Sequence, residues 1–265
     1  MIALTDVTKR YGGKTVLQGV SFSVRPNEFA CITGPSGAGK TTLMHILIGA
    51  ERFDSGSVMI DGVELREIPV HALQLYRRRL GIVFQDYKLL WNRTVAENIA
   101  FPLEVCGASD RVIAKRVQEM LEQMELTAQA NVLCAALSGG EKARTAIARA
   151  IVHKPMVILA DEPTGNLDPE ESLHTMRILK DIHAAGATII LATHDSQIVD
   201  ALKTRVIRLE GGAVTRDSIG NYREATPEKG QKEQAETADD NTAEEKKRRE
   251  KPGHKGSVKI VSTSR

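Results

Sequence analysis

Apolar and polar positions alternate through "SFSV", Ser21 to Val24, and the alternation stops at the turn pair Pro26-Asn27. An apolar run then extends from Phe29 to Ile32. The alternation predicts a half-buried strand, and the run a fully buried one. That second strand leads into "GPSGAGKTT", Gly34 to Thr42, and the next residues, "LMHILIG", are apolar with a helical period. Gly49 is placed to end the helix. From Thr94 to Glu125 the period is again helical. Val112, Ile113, Val117, Met120, Leu121 and Met124 recur at spacings of three and four, with charges on the other face. This predicts a helical insertion over about residues 88–153. Short runs rich in Ile, Val and Leu return at Met156–Asp161, Ala187–Thr193 and Arg205–Glu210. Continuous apolar strands separated by helical stretches indicate an α/β domain with a parallel sheet buried on both faces. There is no internal repeat.

The pattern ends near Arg216. The polar stretch "EKGQKEQAETADDNTAEEKKRREKPGHKG" holds no aromatic residue and has the composition of a disordered segment. The chain therefore divides into a folded domain, residues 1–216, and a charged tail, 217–265. Two features mark the tail: a basic run from Lys246 to Arg249, and "SVKIV", Ser257 to Val261, with β-like alternation. Composition changes the picture little. Hydrophobic residues make up 42% and aromatics 4%, so the core is mostly aliphatic. Residues 1–215 carry 24 basic and 24 acidic side chains, which leaves the formal excess of +2 in the tail. A neutral body argues against a nucleic-acid surface, which is usually basic. Cys31, Cys106 and Cys134 lack metal-site spacing and read as reduced thiols of a cytoplasmic protein. No signal peptide opens the sequence, and no apolar run approaches the ~20 residues that span a bilayer. A membrane role would have to come through a partner.

Candidate chemistry changes the picture more. "GPSGAGKT" fits the phosphate-binding pattern G-x-x-x-x-G-K-[ST], and it lies between a strand and a helix, as that pattern requires. Gly34, Pro35, Ser36, Gly37, Ala38 and Gly39 can turn backbone N–H groups around phosphate oxygens. Lys40 supplies charge to the β- and γ-phosphates, Thr41 offers its hydroxyl to Mg²⁺, and Thr42 is counted with them among the nucleotide-binding residues. "VILADEP" ends a buried strand in two acids. Asp161 is placed to hold Mg²⁺ through its water shell, and Glu162 to orient and polarise a water beside the γ-phosphate. A second glycine-rich helix start, "LSGGE", lies at Leu137 to Glu141.

A phosphate loop, then "LSGGE", then "LADEP", then a histidine in "ATHD" is the motif order of ATP-binding cassette proteins, and the chain closely resembles that family from Ile2 to Thr215. The resemblance implies a P-loop core with a mainly parallel sheet, N-terminal antiparallel strands and a helical subdomain. It implies an Mg²⁺-dependent ATPase with ATP as its nucleotide. It also explains the second glycine-rich loop. In the family two cassettes pair head to tail, and Ser138, Gly139 and Gly140 would meet the γ-phosphate of ATP held by the partner copy. Tyr11 takes the adenine-stacking position. Gln85 is the glutamine that contacts Mg²⁺ and attacking water, "GNLD" from Gly165 to Asp168 crosses the dimer interface, and His194 reaches the γ-phosphate. Where many members read Gln-Gln-Arg after the signature, this chain has Lys142, Ala143 and Arg144.

The stretch "GIVFQDYKLLWNRTVAENIAFPLEVCGAS" is most similar to cassettes of cell division. Lipoprotein-release and macrolide-type export cassettes are the alternative. A soluble repair or ribosomal cassette is disfavoured by the single cassette and the neutral body. The cell-division resemblance implies an ATP-dependent homodimer on the cytoplasmic face of the membrane. It is held there by an FtsX-like integral membrane partner that controls peptidoglycan hydrolysis. Leu89, Leu90 and Trp91 look like exposed apolar residues that could receive a cytoplasmic helix of that partner.

Overall fold

The computed structural model describes residues 1–222. The chain opens with β1 (Ile2–Tyr11), β2 (Lys14–Val24) and β3 (Phe29–Thr33), then α1 (Lys40–Leu47), β4 (Ser55–Ile60) and β5 (Val63–Glu64). A short α2 (Leu73–Arg77) precedes β6 (Leu80–Val83). The helical stretch follows as α3 (Val95–Val105), α4 (Asp110–Gln123) and α5 (Gly139–Ile151). Strands and helices then alternate through β7 (Val157–Asp161), α6 (Pro169–Ala184), β8 (Thr188–Ala192), α7 (Ser196–Leu202), β9 (Arg205–Glu210) and β10 (Ala213–Ile219).

Two sheets result. One is antiparallel, with spatial order β2-β1-β4-β5. The other has the order β10-β9-β3-β8-β7-β6, parallel except for the antiparallel edge strand β10. The continuous apolar runs fit this second sheet because it has a core on each face. In β3, Phe29 and Cys31 pack into one core with the helical stretch, while Ala30 and Ile32 pack into the other with the antiparallel sheet. Ile158 and Ala160 of β7 divide from Val157 and Leu159 in the same way. A polar residue at any of these positions would have no solvated face to turn to.

Three details differ from the sequence reading. The helical period over Thr94–Glu125 is two helices, broken at Gly107, where φ is +74°. Each has its own start: Thr94 caps α3 in a reciprocal box with Glu97, and Ser109 precedes α4. The folded chain also continues past residue 216. β10 pairs with β9 out to Ile219, and the Tyr222 N–H donates to Asp200. The rest of the expected tail, including Lys246–Arg249 and Ser257–Val261, lies outside the described residues. Lastly, Leu89 is buried in the helical-side core and Leu90 is half-buried, so of the three apolar residues proposed as a surface only Trp91 is exposed. Among the described residues, no helix is long and apolar enough to cross a membrane.

Candidate functional site

The parallel sheet gathers the site. β3, β8 and β7 are neighbours with one direction, and their register pairs Ile32 with Ala192 and Ala192 with Asp161. The loops that leave these strands therefore emerge side by side at the carboxyl edge, where open α/β sheets bind ligands. Cross-links knit them there: the Glu162 N–H donates to Ala192 O at 2.9 Å, and the Thr193 N–H to Ile32 O at 3.0 Å.

The first loop carries Gly34 to Gly39. Gly34 has φ +146°, and a Cβ there would lie 2.2 Å from the Leu209 carbonyl oxygen of β9. Only glycine lets the chain turn this close to a neighbouring backbone. The loop ends at Gly39, which caps α1 in a left-handed conformation. Lys40 begins the helix, and its ammonium turns back into the loop. It donates to Gly34 O at 2.9 Å and Pro35 O at 3.2 Å. The same nitrogen is 3.8 Å from Glu162 Oε1, and that oxygen also accepts from His194 Nδ1 at 2.8 Å. One carboxylate oxygen thus joins residues from all three loops. A carboxylate can only accept, so the imidazole proton in this contact is on Nδ1. Glu162 holds its position with φ +47°, a conformation that costs a non-glycine residue energy and is found where surrounding structure imposes it.

Asp161 sits one residue earlier, at the buried end of β7. Burial pushes its carboxyl above the usual range and the Glu162 charge adds to this, while a Thr41 hydrogen bond opposes it. Its Oδ1 is buried with no hydrogen-bond partner. An orphaned carboxylate oxygen beside a threonine hydroxyl suits a hard divalent cation. Among the described residues, no three His, Cys, Asp or Glu side chains gather into a metal site. A cation here would share its coordination with substrate oxygens and water, which is how Mg²⁺ is held at nucleotide sites.

The second glycine-rich loop is elsewhere. Ser138 caps α5, accepting from the Glu141 N–H, while Glu141 Oε2 accepts from the Ser138 N–H at 2.8 Å. Gly139 and Gly140 fill the first helical positions, whose N–H groups have no intrahelical acceptor. α5 packs on α3, β6 and α6, whereas α1 packs on β2, β7 and β8. The two glycine-rich loops of one chain therefore open helices with different packing partners. The surroundings of Gly140 come from α6: a Cβ would lie 2.0 Å from Glu171 Oε2. That carboxylate also accepts from Arg144 Nη1 at 2.8 Å. Asp168 caps α6 through the Glu171 N–H. The signature loop and the "GNLD" loop are thereby fastened to each other.

The remaining expected residues make other contacts. Gln85 is exposed after β6, and its backbone carbonyl, not its side chain, accepts from Asn166 Nδ2 at 3.3 Å. Tyr11 ends β1 with an exposed ring. Sequence reasoning missed Glu171 and Asn166 as supports of the signature and Gln85 segments. It also missed Lys9, whose ammonium lies beside the Tyr11 ring. The signal for Lys9 was available, as a lysine two residues before an aromatic on one strand.

A P-loop, an acid pair at a strand end and a separate signature helix define a cassette ATPase. The comparisons agree. The model of the ABC transporter family matches residues 17–165. The cell division ATP-binding protein FtsE of Streptococcus pneumoniae is 50% identical over 224 residues, covering 84% of this chain and 97% of that protein. FtsE of Bacillus subtilis is 44% identical, over 84% of this chain and 98% of its own length. FtsE of Escherichia coli is 41% identical, over 80% and 96%. Among solved structures, a bacterial ABC transporter cassette in dimeric form superposes with a TM-score of 0.76 at 35% identity, over 85% of this chain and all of that one. A dimeric post-hydrolysis state of the same cassette, bound to ADP and Pi, gives 0.75 at 34% identity over the same shares. The chain belongs to the ABC transporter family as an ATP-binding ATPase, in the branch of the FtsE cell-division proteins.

Proposed function

We propose that this chain is the ATPase of a cell-division complex and works as a head-to-tail homodimer on an FtsX-like membrane protein at the cytoplasmic face of the membrane. Each active site takes its phosphate loop from one copy and Ser138, Gly139 and Gly140 from the other. Support comes from the different packing partners of α1 and α5 within one chain and from the dimeric state of the similar cassettes. Tyr11 stacks on adenine, and residues Gly34 to Thr42 wrap the phosphates. Mg²⁺, when bound, neutralises phosphate charge, and Thr41, Asp161 and Gln85 are the residues that would hold it or its waters. Glu162 accepts a proton from the attacking water, and His194 steadies that carboxylate while facing the γ-phosphate. Movement of the paired cassettes is passed to the membrane protein, which controls peptidoglycan hydrolysis outside the cell.

The observation that carries this reading is the convergence of Lys40 and His194 on Glu162 Oε1. The test is Glu162→Gln in the full chain. Phosphate release should fall by on the order of a hundredfold or more, while ATP still binds and the dimer accumulates in sedimentation. Lys40→Ala should instead weaken ATP binding itself. Normal hydrolysis in Glu162→Gln would remove Glu162 from its role.

A further inference from the structure

Lys9 lies outside every motif, yet it is a lysine only 9% exposed in a strand. Its ammonium makes three contacts. It donates to Arg52 O at 2.7 Å, pairs with Glu51 Oε2 at 3.0 Å, and lies 4.5 Å from the centroid of the Tyr11 ring. The register of β1 against β2 shifts on both sides of Lys9. Such irregularities re-aim side chains.

The position of these partners gives the contacts a meaning. Glu51 and Arg52 follow α1, and the Glu51 N–H donates to His45 O of that helix at 3.2 Å. The other end of α1 is the phosphate loop. The β1–β2 hairpin touches that loop too: a Cβ on Gly39 would lie 2.6 Å from Leu17 Cδ2 and 3.0 Å from Val16 O. The hairpin is thus fixed to the start of α1 through Val16 and Leu17, and to its end through Lys9. Tyr11 sits at the hairpin tip, where it pairs with Lys14.

We propose that Lys9 is a nucleobase-positioning residue. Its ammonium rests beside the Tyr11 ring and, anchored by Glu51 and Arg52 O, holds the ring in fixed register with the phosphate loop. The purine then stacks on the part of the ring that remains exposed. A cation within about 6 Å of a ring centroid is attracted to the ring face, more strongly when partly desolvated. The proposal rests on Tyr11 as the adenine platform, and it assigns to Lys9 the part of ATP affinity that depends on the base.

The experiment compares Mg-ATP with Mg-tripolyphosphate, which has the phosphates and no base, by calorimetric titration of the full chain. Lys9→Met keeps the aliphatic stem and removes the charge. It should weaken ATP about tenfold and leave tripolyphosphate within about twofold, while Lys9→Arg should restore most of the ATP affinity. Tyr11→Ala should show the same selective loss, and the Lys9→Met/Tyr11→Ala double variant should bind ATP no more weakly than Tyr11→Ala alone. Equal loss of both ligands in Lys9→Met, or additive losses in the double variant, would overturn the proposal in favour of a general scaffold role. If Tyr11→Ala weakens ATP and Lys9→Met does not, the Lys9 role alone falls. If Tyr11→Ala leaves ATP affinity intact, the adenine platform falls and the Lys9 role with it. Should Lys9→Met fail to fold, Lys9→Gln keeps a donor toward Arg52 O and removes the cation. About a threefold loss for ATP alone is then expected, and no selective loss overturns the proposal.

Discussion

His153 follows α5, and burial lowers its imidazole below the ordinary range, against the raising effect of the Leu80 carbonyl. Nε2 lies 3.1 Å from that carbonyl oxygen, and Nδ1 is buried with no partner. A base with a depressed folded value takes its proton first in the unfolded chain, near 6.5. The associated stability is therefore complete above that pH and declines as pH falls through the folded value. His153→Gln keeps a donor toward Leu80 O and has no proton to gain. Thermal unfolding between pH 7.5 and 5.5 should fall less steeply in this variant than in the natural chain, and parallel curves would exclude His153 as the source. At this scale the sequence is legible where chemistry demands a residue type at a set spacing. Lys40, Glu162 and His194 could be named in advance, and they meet at one oxygen. Arg144 and Glu171 also pair at 2.8 Å, but no motif of known chemistry links the two positions in the sequence. Leu89 reads as surface in the short run before the polar "NRT", yet it is buried in the core it shares with residues of α3, α4 and α5, which no local pattern encodes.

At the scale of elements, the α5 start does two things that a substitution can separate. Ser138 caps the helix, and the N–H groups of Gly139 and Gly140 at its first positions have no intrahelical acceptor. Ser138→Ala removes the cap alone, a loss of about 1 kcal/mol. Ser138→Arg removes the cap and adds bulk where the other copy's γ-phosphate would lie. Both variants should bind nucleotide as monomers like the natural chain, because α1 and its loop are untouched. Only Ser138→Arg should abolish ATP-driven dimerisation in sedimentation, and normal dimers of that variant would contradict the shared site. Elements were legible where periodicity was strong. The runs now seen as β3, β7 and β8 are buried along their whole length, so they are almost entirely apolar, and β9 shows the same signal through Val206, Ile207 and Leu209. β10 escaped notice because it is the edge strand of its sheet, where "AVTRDSI" can stay polar. The break between α3 and α4 was hidden because Gly107 interrupts the backbone while apolar spacing resumes beyond it.

At the scale of the whole domain, an open groove of about 410 Å³ runs between α2 and β6 on one side and α3 and α5 on the other. Leu90, Phe101 and Val105 give it apolar walls, and Arg77, Arg78 and Arg149 surround it with positive charge. No aspartate or glutamate lines it. Arg77 and Arg149 donate to backbone carbonyls, Ile48 O and Gly49 O for the first, Lys88 O and Tyr87 O for the second, which satisfies their N–H groups without cancelling their charge. An amphipathic helix with an apolar face and acidic flanks matches such a groove. On the function proposed above, the groove would take such a cytoplasmic segment of the FtsX-like partner. Trp91 lies toward the signature helix, with Lys142 Nζ 5.8 Å from its ring, so the segment after Gln85 touches both the groove, through Leu90, and α5. Two substitutions separate the contributions of the groove. Phe101→Ala removes an apolar wall that is 37% exposed, and Arg78→Glu reverses a charge at the rim. Each should lower co-purification with the partner while basal ATPase activity stays within about twofold, because neither residue touches the Lys40–Glu162–His194 cluster. The loss in Arg78→Glu should shrink as salt rises, since exposed charges are screened beyond about 8 Å at physiological ionic strength. The loss in Phe101→Ala should persist at high salt, because apolar burial is not screened. Unchanged partner binding in both variants would move the docking surface to another face of the domain.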